Sequence, residues 1–249
     1  MFGAPVMQAQ MTAPVPAATS SWTFTPAVVS QYMFRGVRLG GPAIQPTLEY
    51  GYGALAVGVW ANFPFNKKVP GQSDPEYDFY GSYTIPVNSA LSIVPGATLY
   101  YYPRATESNG FFRSTFEPNL AINYTVAGFK LTPKIYYDLV LEGATAEFTA
   151  AYAYPLKDFG TELNFTATYG SYKWKEFAED TSPAIKNWGD YWLVGMAMPF
   201  AINSSSKVTL GVAYTKGNDN YLKQGSAPKF SHSSAVGRGV VTVAYSLTF

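Results

Sequence analysis

The sequence predicts an all-β chain: a transmembrane, antiparallel, up-and-down β-barrel of 12 strands with both termini on the periplasmic side. Three observations predict it. Apolar and polar residues alternate with a period of two in segment after segment, most cleanly in the last, where Val241, Val243, Tyr245, Leu247 and Phe249 alternate with Thr242, Ala244, Ser246 and Thr248. The connections between these segments alternate short and long, as transmembrane barrels require. Finally, 47% of the 249 residues are hydrophobic, yet the longest apolar run is about nine residues, near Gly53 to Ala61, short of the ~18 that a spanning helix needs.

Taken in order, the first strand reads Trp22 to Val37, with Trp22, Phe24, Pro26, Val28, Tyr32 and Phe34 opposite Thr23, Thr25, Gln31 and Arg35. The second, Ala43 to Tyr50, sets Ile44, Leu48 and Tyr50 against Gln45, Thr47 and Glu49, and the third, Ala54 to Phe63, follows a tight Gly51-Tyr52-Gly53 turn. Tyr77 to Pro86 and Leu91 to Tyr102 flank a Val87-Asn88-Ser89 turn, and Phe112 to Tyr124 turns through Val126-Ala127-Gly128 into Phe129 to Leu139. Ala144 to Tyr154 and Thr161 to Tyr169 join at Lys157-Asp158. After a long loop come Tyr191 to Phe200, the least regular of the set, then Lys207 to Lys216, and Arg238 to Phe249 ends the chain. Residues 1–20, rich in Ala, Pro, Met and Gln with no Lys or Arg before Arg35, read as an extended tail, so the domain division is 1–20 tail and 21–249 barrel.

Composition narrows the function. Tyr 20, Phe 17 and Trp 5 with only 13% charged residues suit a lipid-facing β surface. The absence of cysteine removes disulfides, thiolate catalysis and cysteine metal sites. A net charge of +1 gives no electrostatic case for nucleic acid.

The motifs Tyr32-Met33-Phe34-Arg35-Gly36, Gly41-Pro42-Ala43-Ile44-Gln45, Gly58-Val59-Trp60-Ala61-Asn62 and Glu76-Tyr77-Asp78-Phe79-Tyr80-Gly81 resemble those of the TorF-type porin family, a poorly characterised group of bacterial outer-membrane β-barrels. The resemblance covers about residues 30 to 85. It implies an outer-membrane barrel with a channel role and brings no catalytic residues.

Charge toward lipid at the bilayer midplane costs roughly 2–4 kcal/mol, so charges sort the faces. The alternation puts Arg35, Glu49, Asp78, Arg113, Glu117, Lys130, Lys134, Asp138, Glu147, Glu162, Lys207 and Arg238 on the wet face and none on the lipid face of a strand. These twelve are the candidate lumen and constriction residues. If Tyr124 and Phe129 flank their turn, Glu117 lies diagonally from Lys134 and Arg113 from Asp138, with Glu147 beside them. Such a wall reads either as a constriction that orients polar solutes or, more plainly, as a salt-bridge ladder propping the lumen. Five in-strand prolines, Pro26, Pro46, Pro95, Pro118 and Pro133, all fall on the apolar face. Because proline donates nothing to the ladder, each site should interrupt the pairing and show a bulge, a bifurcated bond, or a polar side chain or water reaching from the lumen.

Aromatic girdles are expected at both ends, the lower including Trp22, Tyr50, Tyr124, Phe129 and Phe249, the upper Phe34, Phe63, Tyr77, Tyr101, Phe112, Tyr137 and Tyr214. Catalysis has little support, because the one histidine, His232, stands in a Ser-rich loop without a fixed partner. Asp74, Glu76 and Asp78 place three carboxylates around a loop-to-strand junction, which suits calcium in principle, but the sequence shows no further oxygen ligands at fixed spacing, so no metal and no cofactor are expected. The predicted function is passive diffusion of small polar solutes through a charged aqueous lumen, without enzyme chemistry. The alternative is an occluded barrel that presents its loops to a partner. The implied partners are outer-membrane lipid and solutes, with a homo-oligomer or protein partner left open.

Overall fold

The computed structural model describes residues 19–65, 75–105, 112–173, 188–217 and 237–249. The chain forms β1 (Ser20–Val29), β2 (Tyr32–Phe34), β3 (Val37–Gly40), β4 (Ala43–Tyr52), β5 (Leu55–Pro64), β6 (Glu76–Tyr83), β7 (Ile85–Pro86) and β8 (Leu91–Tyr101). It continues with β9 (Ser114–Val126), β10 (Phe129–Asp138), β11 (Gly143–Leu156), β12 (Thr161–Lys173), β13 (Trp188–Ala201), β14 (Ser206–Gly217) and β15 (Arg238–Thr248). Apart from β2 and β3, every strand pairs antiparallel with its sequence neighbours, and β1 pairs with β15. β7 continues β6 after a break at Thr84, and both pair with β8, which closes the sheet into a barrel of twelve staves. Trp22 and Phe249 exchange both backbone hydrogen bonds, at 2.8 and 2.9 Å, and fasten the seam between the two ends of the chain.

Every stave keeps the two faces apart. On β1 the exposed residues are Trp22, Phe24 and Val28, and on β15 Val241, Val243 and Tyr245, while Ala27, Val29, Ala244 and Ser246 are buried inside. β13, which the sequence leaves least regular, is a continuous strand with Trp192, Val194 and Met196 outward and Tyr191 and Leu193 inward. Ala127 and Gly128, both at positive φ (50° and 82°), make the two-residue turn joining β9 and β10. That turn pairs Val126 with Phe129 and Tyr124 with Leu131. The register is therefore shifted by two residues from the predicted one.

Three further expectations change. The strand predicted from Trp22 to Val37 ends at Val29, and the residues after it form the separate β2–β3 hairpin. Phe34, assigned to the upper girdle, instead packs inside on Tyr100, ring centroids 6.1 Å apart. Three charges do lie on the outer face: Asp190, between the outward Trp188 and Trp192 of β13, and Lys173 and Lys216, each at the loop end of its strand and directly opposite one of those tryptophans. A lysine beside an aromatic at the strand end lets its ammonium reach the polar boundary while its stem stays apolar. This is where a charge on the lipid face is tolerated.

The five prolines face outward, Pro26 directly opposite Pro46. Pairing lapses beside Pro26 between β1 and β15, beside Pro46 between β4 and β5, and beside Pro133 between β9 and β10. At each of these gaps the lumen-facing residue just before the proline bridges to the strand opposite. Thr25 Oγ1 donates to Ser246 Oγ at 3.0 Å, Gln45 Nε2 to Asn62 Oδ1 at 2.9 Å, and Thr132 Oγ1 to Asn123 Oδ1 at 3.0 Å.

Candidate functional site

The site is made by the β2–β3 hairpin, which leaves the wall after Val29 and folds into the lumen. Arg35 and Gly36 form its two-residue turn with φ of 46° and 76°, left-handed values that Gly36 supplies readily and Arg35 adopts only under tertiary constraint. That constraint is visible on several walls at once. The Arg35 guanidinium makes a bidentate ion pair with Glu117 of β9, Nη1 to Oε1 and Nη2 to Oε2, both 2.8 Å. It lies 4.7 Å from the ring centroids of Phe34 and of Tyr136 on β10. The Gly217 amide on β14 donates to the Gly36 carbonyl at 3.1 Å, and a Cβ on Gly36 would stand 2.5 Å from that same nitrogen. At the hairpin's foot, the Tyr32 ring rests on Trp60 of β5, 5.5 Å between centroids.

The ion pair is fully inside the protein, with side-chain exposures of 7% and 2%. Burial disfavours the charged guanidinium, but the facing Glu117 carboxylate outweighs it, and the Arg35 pKa rises well above its ordinary value. The Tyr100 hydroxyl donates to Glu117 Oε2 at 2.9 Å, so the carboxylate accepts three hydrogen bonds. An ion pair satisfied this way fixes position more than it adds stability, because both charges have left water.

Two cross-strand rows stiffen the lumen wall on either side. In one, Glu49, Gly58 and Tyr80 stand opposite one another on β4, β5 and β6, and the Tyr80 hydroxyl reaches over the glycine to Glu49 at 2.9 Å. In the other, Glu147, Gly170 and Tyr191 repeat the arrangement on β11, β12 and β13, with Tyr191 donating to Glu147 at 2.6 Å. A Cβ on Gly58 would lie 2.6 Å from Tyr80 Cζ, and one on Gly170 would collide with the Tyr191 ring. Glycine inside a strand signals close approach of this kind.

The predicted lumen residues divide accordingly. Arg35, Glu49, Asp78, Glu117, Lys130, Lys134, Glu147, Glu162, Lys207 and Arg238 all sit at buried or half-buried positions of the inner face. Arg113 is exposed just before β9 and donates to the Pro103 carbonyl, so it takes no part in a wall with Glu117. Asp138 caps the β10–β11 turn, accepting from the amides of Val140 and Leu141 at 2.9 and 2.8 Å. Lys134 stands directly opposite Glu147 and 4.6 Å from the Tyr136 ring. The partner of Glu117 is thus Arg35, 82 positions earlier in the chain, rather than Lys134. Strand alternation cannot reveal such a contact, because it assigns faces within a wall and is blind to a loop that crosses the lumen. His232 and Asp74 lie outside the described residues. The four motifs singled out in the sequence, 49 positions apart at their limits (Tyr32 to Gly81), meet in space: the first is the hairpin, and Gln45, Trp60, Asn62, Glu76 and Asp78 of the others form its floor.

Comparison with known proteins follows the same lines. The NanC porin superposes with a TM-score of 0.56 at 8% identity, over 91% of this chain and 98% of that one. The KdgM porin gives 0.53 at 12% identity, over 92% and 99%. An outer-membrane channel from Pseudomonas putida F1 gives 0.52 at 9% identity, over 98% and 100%. At these identities the likeness is one of fold. No curated protein matches the sequence. A family model does match, over residues 15–220, and on that match the chain belongs to the family described as bacterial protein of unknown function (Gcw_chp).

Proposed function

We propose that this protein is an outer-membrane channel for passive diffusion of small polar solutes, with the Tyr32–Gly40 hairpin as its constriction. One observation carries the reading: a closed barrel, apolar outside, whose inner face holds charged and polar side chains around a hairpin crossing the lumen. An aqueous path needs such a lining, and selection by size and field needs no covalent chemistry. The porin-like fold of the structural neighbours and the resemblance of the four motifs to TorF-type porins support it. With short turns on the side of the termini, barrel convention puts both termini in the periplasm and the longer loops outside.

The ties on the hairpin equally favour a second reading, an occluded barrel that displays loops. Single-channel conductance in planar bilayers separates the two. The wild-type barrel should show discrete steps, and replacing residues 31–41 by a short Gly-Ser turn should enlarge them severalfold. Silence from both proteins would sink the channel reading. Silence from the wild type with conduction after hairpin removal would establish the occluded form.

A further inference from the structure

The floor beneath the hairpin holds four buried oxygen atoms without a hydrogen-bond partner among the described residues: Asp78 Oδ1 and Oδ2, Glu76 Oε2 and Gln45 Oε1. Glu76 and Asp78 are successive inward positions of β6, 1% and 0% exposed. Asn62 stands directly opposite Glu76, and Gln45, 1% exposed, bonds to Asn62 through its amide nitrogen. Gln45, Asn62 and Glu76 are therefore one cross-strand row, in which the donor of Gln45 is already engaged and its acceptor is left over. Two nearby hydroxyls are engaged, Tyr102 on Glu76 Oε1 and Tyr100 on Glu117, both at 2.9 Å.

What this patch lacks is of one sign. Every unpartnered atom in it is an acceptor, and two of the three side chains are carboxylates. Three of the four carboxylate oxygens of Glu76 and Asp78 have no donor, and neither group has an ion-pair partner among the described residues, so the arrangement calls for positive charge. We propose that Asp78, Glu76 and Gln45 bind a hard divalent cation of the calcium class. The donor set fits: oxygen only, a formal charge that matches the ion, a carboxylate able to chelate and a neutral amide carbonyl. Among the described residues no three His, Cys, Asp or Glu side chains converge to hold a metal, and the third ligand here is the Gln45 amide oxygen. Tyr32 of the hairpin, 1% exposed, rests on Trp60, which is directly opposite Asp78. A bound ion would tie the floor together where the hairpin stands.

Terbium, a luminescent calcium substitute, tests this in the purified, detergent-folded barrel. Excitation of the aromatic rings beside Asp78 should sensitise Tb3+ emission, and calcium should quench it by displacement. Asp78→Asn and Gln45→Met should each weaken terbium and calcium binding by about tenfold or more, since affinity follows ligand charge and number. Both variants are compared with wild type in the folded state, judged by their β-sheet circular dichroism. Should Asp78→Asn fail to fold, Gln45→Met, which keeps the net charge, decides alone. The proposal is overturned if wild type shows no calcium-displaceable emission, or if Gln45→Met binds as tightly as wild type. It is overturned too if calcium leaves the wild-type melting temperature unmoved while a rise in pH lowers it, the behaviour of two carboxyls sharing a proton.

Discussion

At the scale of single residues, side chains that reach across the lumen wall organise its interior. Tyr80 and Tyr191 each pass over a glycine to find a glutamate two strands away, and the glycine makes that path. Replacing Gly170 by alanine should force the Tyr191 ring from its seat and break its bond to Glu147. The expected loss is about 1–3 kcal/mol, the range for overpacking a filled site. The check is a double-mutant cycle read by urea unfolding in lipid vesicles: in a Tyr191→Ala background most of the Gly170→Ala penalty should vanish. An equal penalty in both backgrounds would mean that the row is incidental. Glu147 was readable in the sequence as an inward charge. Its tyrosine partner was not, because the reach over Gly170 depends on strand register, which alternation leaves open.

At the scale of elements, strand and proline were readable together, and the hairpin was not. A proline inside a strand removes one ladder donor, and in hydrocarbon the carbonyl left behind has no water to turn to. The chain answers with a polar residue immediately before the proline, Thr25, Gln45 and Thr132, each bridging the gap by its side chain. Thr132→Val, which keeps the shape and removes the hydroxyl, should therefore cost about 1 kcal/mol, the net worth of one hydrogen bond, plus the burden of an unsatisfied Asn123. The same change at the exposed Thr125 should cost little. Equal effects in equilibrium unfolding would remove the bridging role. These gaps could be expected from sequence because proline chemistry is local. The hairpin could not, because Tyr32 and Phe34 alternate with Gln31 and Arg35 just as a membrane strand would. Gly36 suits a turn, but Arg35 takes its left-handed φ only because the ion pair holds it, and that ion pair depends on a contact 82 positions away.

At the scale of the whole molecule, the barrel is inverted relative to a water-soluble β protein: large apolar and aromatic side chains cover the outside, and charges gather within. Aromatics mark both ends, with Trp22 on Tyr50 (4.9 Å) near the termini and Phe63 on Tyr77 (5.8 Å) and Trp192 on Tyr214 (5.4 Å) at the loop end. The outward lysines Lys173 and Lys216 occur at that loop end, beside tryptophans. If this surface meets lipid, its tolerance for charge must depend on depth. Val243 lies midway along β15, faces outward at 47% exposure and is flanked by Val28 and Leu210. Tyr214 also faces outward, two residues from Lys216. Val243→Lys should cost roughly 2–4 kcal/mol, whereas Tyr214→Lys should lose about 0–1 kcal/mol to the charge itself plus whatever the Trp192 contact contributed. A Tyr214→Ala reference isolates that contact. Reversible unfolding from vesicles measures all three variants, and in detergent, where micelles adapt around a charge, the contrast between the two lysines should shrink. A Val243→Lys penalty no larger than that of Tyr214→Lys in vesicles would mean that the middle of this wall does not lie in hydrocarbon, and the membrane-spanning reading of the barrel would fall with it.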